Sequence, residues 1–362
     1  MSRQWPSILI AGVLTAAVVA AGSISPSQTD PIRDEILRWQ TESERQIEGV
    51  ALWSQVQPGA RAALAMAREA LESERRWLAL ERLAAARNML SAALYISTRS
   101  AETRQQVAAF EAEWTRVGRQ MGTALESPAP AMFATIRPAA ARALAETSAL
   151  QAKILYDASI VYGRATDADS GLFYLGSALA QRELVDLARR VSGGAAPRVD
   201  ARALTADLDR LERELLRLYE PPASIDRHAD FITASAALKE ARELDQAGLR
   251  FGALFRLLLA AQRVALLEIH EPRPVADLQH ALRQAQTWLA ADGRDHTIVA
   301  MFLERADVEL SRSEPNTALL PTITAIVDHV VPAYRRALEP AESPATPVAA
   351  EVTVRLVRWP FT

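Results

Sequence analysis

Histidine is the residue type most able to do chemistry near neutral pH, and the chain has five: His228, His270, His280, His296 and His329. None sits in an H-E-x-x-H or E-x-x-H frame, so the helical zinc and di-iron patterns are missing. In "DRHAD", Asp226, His228 and Asp230 crowd together, but the stretch follows "EPPASI" and reads as a loop opening a helix. His270 and Glu271 precede Pro272 and read as a helix end, where an imidazole can meet the last carbonyls. Asp167 and Asp169 in "DADSG" begin like a calcium loop, yet Ala178 stands where the twelfth position needs an acid. There is no G-x-S-x-G elbow, no phosphate-binding G-x-x-x-x-G-K-[ST] loop and no G-x-G-x-x-G dinucleotide turn.

Carboxylate pairs need no short motif, and Glu72 with Glu74, or Glu304 with Asp307, are the pairs a glycosidase reading would choose. On helices this rich in Glu and Arg, they read as solvated faces. No residue is therefore assigned a catalytic, cofactor-binding or metal-binding role. The absence of cysteine excludes disulfides and thiolate chemistry but not an oxidising compartment. With 41 basic and 44 acidic side chains intermixed, and a net charge of -3, no positive stripe suits a nucleic acid. Lysine occurs only at Lys153 and Lys239, so arginine carries nearly all positive charge.

The elements that would position any site are helices. The 362-residue chain is 49% hydrophobic but only 6% aromatic, so alanine and leucine must fill the core, which favours closely approaching helices. After Arg3, "ILIAGVLTAAVVAAG" runs apolar from Ile8 to Gly22, as in a signal peptide with a cut after Ala21, or a retained signal anchor. Helical periodicity begins at Pro31, pauses at "ESPAPAM" and "ATDADSG", and breaks most clearly at "SGGAAPR". Leu204, Leu208, Leu211, Leu215 and Leu218 then form a seam on one helix face. "EPAESPATP" is a tether, and beyond it Val352, Val354 and Leu356 alternate with Thr353, Arg355 and Val357 as a strand would.

The expected organisation is a signal peptide or anchor at 1–22, an N-terminal helical region at 23–191 and a linker at 192–198. A C-terminal helical-repeat region follows at 199–338, then a proline-rich tether at 339–350 and a terminal strand at 351–357.

One helical phrase is written twice. Ala62, Ala63, Leu64, Ala67, Arg68 and Glu69 align with Ala236, Ala237, Leu238, Ala241, Arg242 and Glu243. In the same register Arg76, Ala79, Leu80, Arg82, Leu83 and Ala86 align with Arg250, Ala253, Leu254, Arg256, Leu257 and Ala260, and Trp77 with Phe251. A looser third copy runs from Gly171, with Tyr174 in place of Phe251 and Gly176 in place of Ala253. The pattern predicts helical hairpins in which small alanines let two helices approach while an aromatic closes one end.

With Ala79 and Ala253 at the crossing and Trp77 and Phe251 nearby, the chain resembles the tetratricopeptide class of helical repeats over a third of its length. It departs from that class in lacking the regular period of about 34 residues and a dependable Leu-Gly pair in the first helices. The resemblance implies a solenoid that binds peptides or proteins along a concave face.

The expected fold is all-α: stacked antiparallel hairpins in an α-solenoid, tetratricopeptide-like or irregular, with one short C-terminal β-strand. The expected function is an extracytoplasmic, periplasmic or secreted protein that binds a protein or peptide partner in a scaffold or assembly role. Trp77, Phe251, Tyr174, Val352, Val354 and Leu356 are the candidate packing or partner-contact residues. Trp39, Trp53, Trp114 and Trp288 are further aromatics for core or groove. The alternatives are an envelope-polymer hydrolase with convergent carboxylates and an anchored structural component of the envelope.

Overall fold

The echoed phrases fold into the same hairpin, down to its turn. The computed structural model describes residues 31–49, 56–165, 167–192, 204–221 and 225–339. In the first hairpin α2 (Val56–Glu72) leads into α3 (Arg76–Ser97), and in the second α9 (His228–Gln246) leads into α10 (Arg250–Glu268). Each first helix ends on a left-handed residue, Glu74 at φ 59° and Gly248 at φ 75°. Around Glu74, the Arg75 amide donates to the Ala70 carbonyl at 2.7 Å and the Glu74 amide to Leu71 at 3.1 Å. Around Gly248, the Leu249 amide donates to Leu244 at 2.8 Å and the Gly248 amide to Asp245 at 3.0 Å. Both are Schellman ends, in which paired amides satisfy carbonyls the helix leaves open.

The aligned residues are buried alike. Ala79 and Ala253 are each 0% exposed, and so are Leu83 with Leu257 and Ala86 with Ala260. A methyl at these places lets the paired helices come close, and the leucines fill the seam.

The third copy differs. Gly171 lies inside α7 (Ala168–Arg190), where an added Cβ would stand 2.7 Å from the Gly163 Cα of α6 (Ala139–Ala165). Here glycine serves a helix crossing and not a turn. The break comes earlier, where the Asp167 carboxylate accepts from the Ser170 amide at 2.6 Å and caps α7. Gly176 keeps its crossing role, since a Cβ there would meet the Ala92 Cα of α3 at 2.8 Å.

Around these three hairpins pack the remaining helices. α1 (Pro31–Ile47) lies on α3 and α2, α8 (Thr205–Leu218) on α9 and α10, and α12 (Thr297–Leu310) on α3, α6 and α10. α11 (Val275–Asp292) covers α12. The leucine seam of α8 faces inward, with Leu208, Leu211 and Leu215 buried.

Two elements break where the sequence reads as one. The stretch from Ala101 divides at Gln106, which is extended, into α4 (Ala101–Gln105) and α5 (Val107–Met121). The last helix begins as α13 (Leu320–Ala325), widens through a π turn at Ile326–Val330 and closes as α14 (Val331–Leu338). Pro332 follows that turn and cannot donate an amide, so the ladder is already locally rearranged there. The larger buried cluster extends from Ile36 to Ala337, while a smaller one gathers Ile96, Phe110, Tyr156 and Leu172.

The fold class needs one correction. Among the described residues every regular element is helical and no β-strand occurs, so the expected helical fold with a terminal strand becomes all-α packed hairpins consistent with a helical-repeat or solenoid arrangement. A strand is stable only on a ladder partner, and none of the described elements offers one. Residues 351–357 lie outside the described residues, as do the signal-like segment and Trp53. No helix among the described residues is long and apolar enough to cross a membrane.

Candidate functional site

The second helices of the two echoed hairpins face each other across a cavity of about 270 Å³. From α3 its wall takes Leu80, Glu81, Ala84, Ala85 and Asn88, and from α10 Phe255, Arg256, Leu259 and Gln262. In the repeat register Glu81 stands opposite Phe255, Ala85 opposite Leu259, and Asn88 opposite Gln262. The two helices thus present one equivalent stripe each. α6 supplies Leu144, Thr147 and Ser148, α7 supplies Gln181, and α12 supplies Met301, Phe302 and Arg305. A mostly apolar wall with a few convergent polar groups is the usual build of a ligand pocket.

The polar groups are unequally satisfied. On the α3 side, Gln181 Nε2 donates to Asn88 Oδ1 at 3.2 Å. On the α10 side, Gln262 is only 4% exposed and its Nε2 has no hydrogen-bond partner. Nearly every buried amide in a folded protein finds a partner, so this one stands out. Thr147 turns its hydroxyl back to the Ala143 carbonyl at 2.7 Å.

The charges are unequal as well. Arg256 pairs with Glu240 at 2.9 Å, Glu81 with Arg82 at 3.3 Å, and Glu309 with Arg312 at 3.4 Å. Glu81 and Glu309 act on the Arg305 charge, and each is paired with another arginine. Arg305 itself has no ion pair or hydrogen bond among the described residues. Burial, and after it the Arg82 charge, push the Arg305 guanidinium below its ordinary pKa. Burial likewise lowers Arg256, against the opposing pull of Glu240.

Two glutamates, Glu146 buried and Glu304 half-buried, hold the hairpins that frame this cavity. Glu304 Oε2 accepts from the Leu78 amide at 2.8 Å, and Glu146 Oε2 accepts from the Gly252 amide at 2.7 Å. Leu78 and Gly252 are equivalent positions, and neither α3 nor α10 has a capping side chain of its own. Each helix start is therefore capped from another helix, α12 in one case and α6 in the other. Burial raises both carboxyls, Glu304 to about 7.

The sequence-predicted contact residues are dispersed. Trp77 and Phe251 are buried at equivalent helix starts, and Arg142 stacks on Phe251 at 4.4 Å. Tyr174 is half-buried on α7 and stacks on Tyr162 at 4.5 Å, away from both. Val352, Val354 and Leu356 lie outside the described residues.

Trp39 is buried beneath Arg87 and Arg190, while Trp114 stacks on Tyr156 at 4.8 Å. The carboxylate pairs resolve into structural roles: Glu304 caps α3, Asp307 binds Arg75, and Glu72 and Glu74 flank an exposed turn. Asp169 holds Arg104 through both oxygens, at 2.8 and 2.7 Å, beside the capping Asp167. His270 Nδ1 lies 2.6 Å from the Glu268 carbonyl, at a helix end. Among the described residues no group of three His, Cys, Asp or Glu side chains is placed to hold a metal ion.

Arg305 and Gln262 were not singled out by sequence reasoning. Gln262 had a usable signal, since the repeat register pairs it with Asn88. Arg305 had none, because one arginine among many on an amphipathic helix is unremarkable until its neighbours are seen to be engaged. No protein-family model, curated protein or solved structure is significantly similar to the chain.

Proposed function

We propose that this protein works by binding: an extracytoplasmic helical-repeat protein that receives a segment of a protein or peptide partner in the cavity between α3 and α10, in a scaffold or assembly role. The observation that carries the reading is the wall itself. It is apolar along two equivalent helices, carries a small set of polar groups, and includes a single carboxylate, Glu81, among the described residues lining it. A hydrolase of the two-carboxylate type needs a second acid about 5 to 9 Å from the first and facing it. The acids nearest by are engaged with arginines or helix starts.

Two finer elements belong to the same proposal. Kinship with tetratricopeptide hairpins is supported by Ala79 and Ala253 at the crossings beside Trp77 and Phe251. Export is supported by the apolar run from Ile8 to Gly22, with membrane targeting or anchoring at that end.

The test is photocrosslinking with a benzophenone amino acid at Ala85, an exposed residue at the cavity's edge, in the native cell envelope fraction. The expected result is one mapped partner peptide whose adduct disappears when Ala84→Phe fills the cavity. An adduct that survives filling, or the same adduct from a probe at Glu42 on α1, would refute the cavity as the binding site.

A further inference from the structure

Resting on that binding reading, we infer that the cavity recognises the C-terminal carboxylate of its partner, with Arg305 and Gln262 as the anion-binding pair and the apolar wall holding the last side chain. The inference starts from two unmet needs on one wall. Arg305 is a half-buried guanidinium with no ion pair, and the two acids that act on its charge, Glu81 and Glu309, are each paired with another arginine. Gln262 offers a buried amide donor with no acceptor. Both line the same cavity.

A half-buried charge without an ion pair and an unmet buried donor are each costly, and one anion that accepts from both removes the two costs together. A guanidinium presents a planar fork that matches the two oxygens of a carboxylate. Beside Glu81 and Arg256, the wall is largely apolar, from Leu144, Phe255, Leu259 and Met301. A fully ionic ligand such as inorganic phosphate would leave that surface unused. A carboxylate borne on a carbon carrying an apolar side chain meets both halves of the site. A volume of about 270 Å³ admits one large terminal residue and little more. The chain of the partner would then leave past Ala85, at the open edge.

The experiment is calorimetric titration of the full chain with the peptide Gly-Ser-Gly-Ser-Phe-Leu, as free acid and as C-terminal amide, alongside octanoate and octanamide. The free-acid peptide is expected to bind about ten- to a hundredfold more tightly than its amide, the range for a charge-assisted hydrogen-bonding pair. Arg305→Met is expected to abolish that discrimination while raising the Tm of the unliganded protein, because it removes an unpaired charge. A purely structural arginine would lower the Tm. Gln262→Leu provides an independent variant, expected to weaken the acid severalfold and leave the amide unchanged.

Equal binding of acid and amide would overturn the carboxylate inference and leave the peptide-binding function standing. Binding of octanoate without either peptide would overturn the peptide source. No binding by any of the four probes would overturn the inference, and the Ala85 crosslink then decides the binding function separately.

Discussion

The hairpins α2–α3 and α9–α10 are built alike and stabilised unequally. They share a Schellman turn, a methyl at the crossing and a helix start capped by a glutamate from elsewhere in the molecule. At the turn, the second hairpin uses Gly248 where the first uses Glu74, though both adopt a left-handed backbone. At the cap, Glu146 is 0% exposed and is also held by Arg142 at 2.8 Å, while Glu304 has only backbone donors for hydrogen bonds. The difference teaches that a repeated geometry can be kept while its local chemistry drifts. The first hairpin accommodates backbone strain and a half-buried capping acid without an ion pair, and the second has neither.

The largest way to break this comparison is at the better-held cap. Glu146→Ala removes the acceptor for the Gly252 amide and the partner of Arg142 together, and is expected to cost about 3 kcal/mol in urea unfolding. Glu304→Ala in the first hairpin should cost less, since no ion pair is lost with it.

The comparison sharpens with pH. The Glu304 carboxyl titrates at about 7 in the folded protein against 4.5 as its ordinary value. Between those values the folded state holds a proton that the unfolded chain has released. The stabilisation is therefore complete below about 4.5 and is lost as pH rises through 7, amounting to roughly 2 kcal/mol after partial screening. Glu304→Gln, which keeps an oxygen acceptor for Leu78, should flatten this part of the stability profile measured by urea unfolding from pH 4 to 8. A profile with unchanged slope would mean that the carboxyl is not held neutral.

Smaller effects belong to the turns. Gly248→Ala forces a side chain onto a left-handed backbone, with its Cβ 3.1 Å from the Pro130 Cγ, and should lower stability by about 1 to 2 kcal/mol. Glu74→Gly should do the reverse by about 0.5 to 1 kcal/mol, since glycine adopts this backbone without a Cβ penalty. If the two turns gave effects of the same sign, their equivalence would fail. Thermal denaturation resolves both.

Helix positions and the repeat register were legible because burial follows the period of the chain: Ala79 and Ala253, and Leu83 with Leu257, lie where amphipathic spacing puts them. The misread places had competing local causes. Gly171 closes the stretch "ATDADSG", which reads as a pause, but a crossing against Gly163 also demands glycine, and sequence does not separate the two. The alternation at the chain end suggested a strand, yet strand formation depends on a partner edge that no local pattern reveals. The candidate site was legible only in part. Its apolar stripe follows from the echo, whereas Arg305 stands out only against neighbours drawn from α3, α10 and α12.

What the sequence by itself determined was the helical class, the two equivalent hairpins and the absence of familiar catalytic motifs, because period, composition and motif are local properties. Tertiary structure alone decided that Glu304 and Glu146 would cap distant helices, and that Arg305 and Gln262 would share a wall with their partners missing. Those facts depend on which groups compete for the same charges and donors, and that competition exists only once the helices are packed.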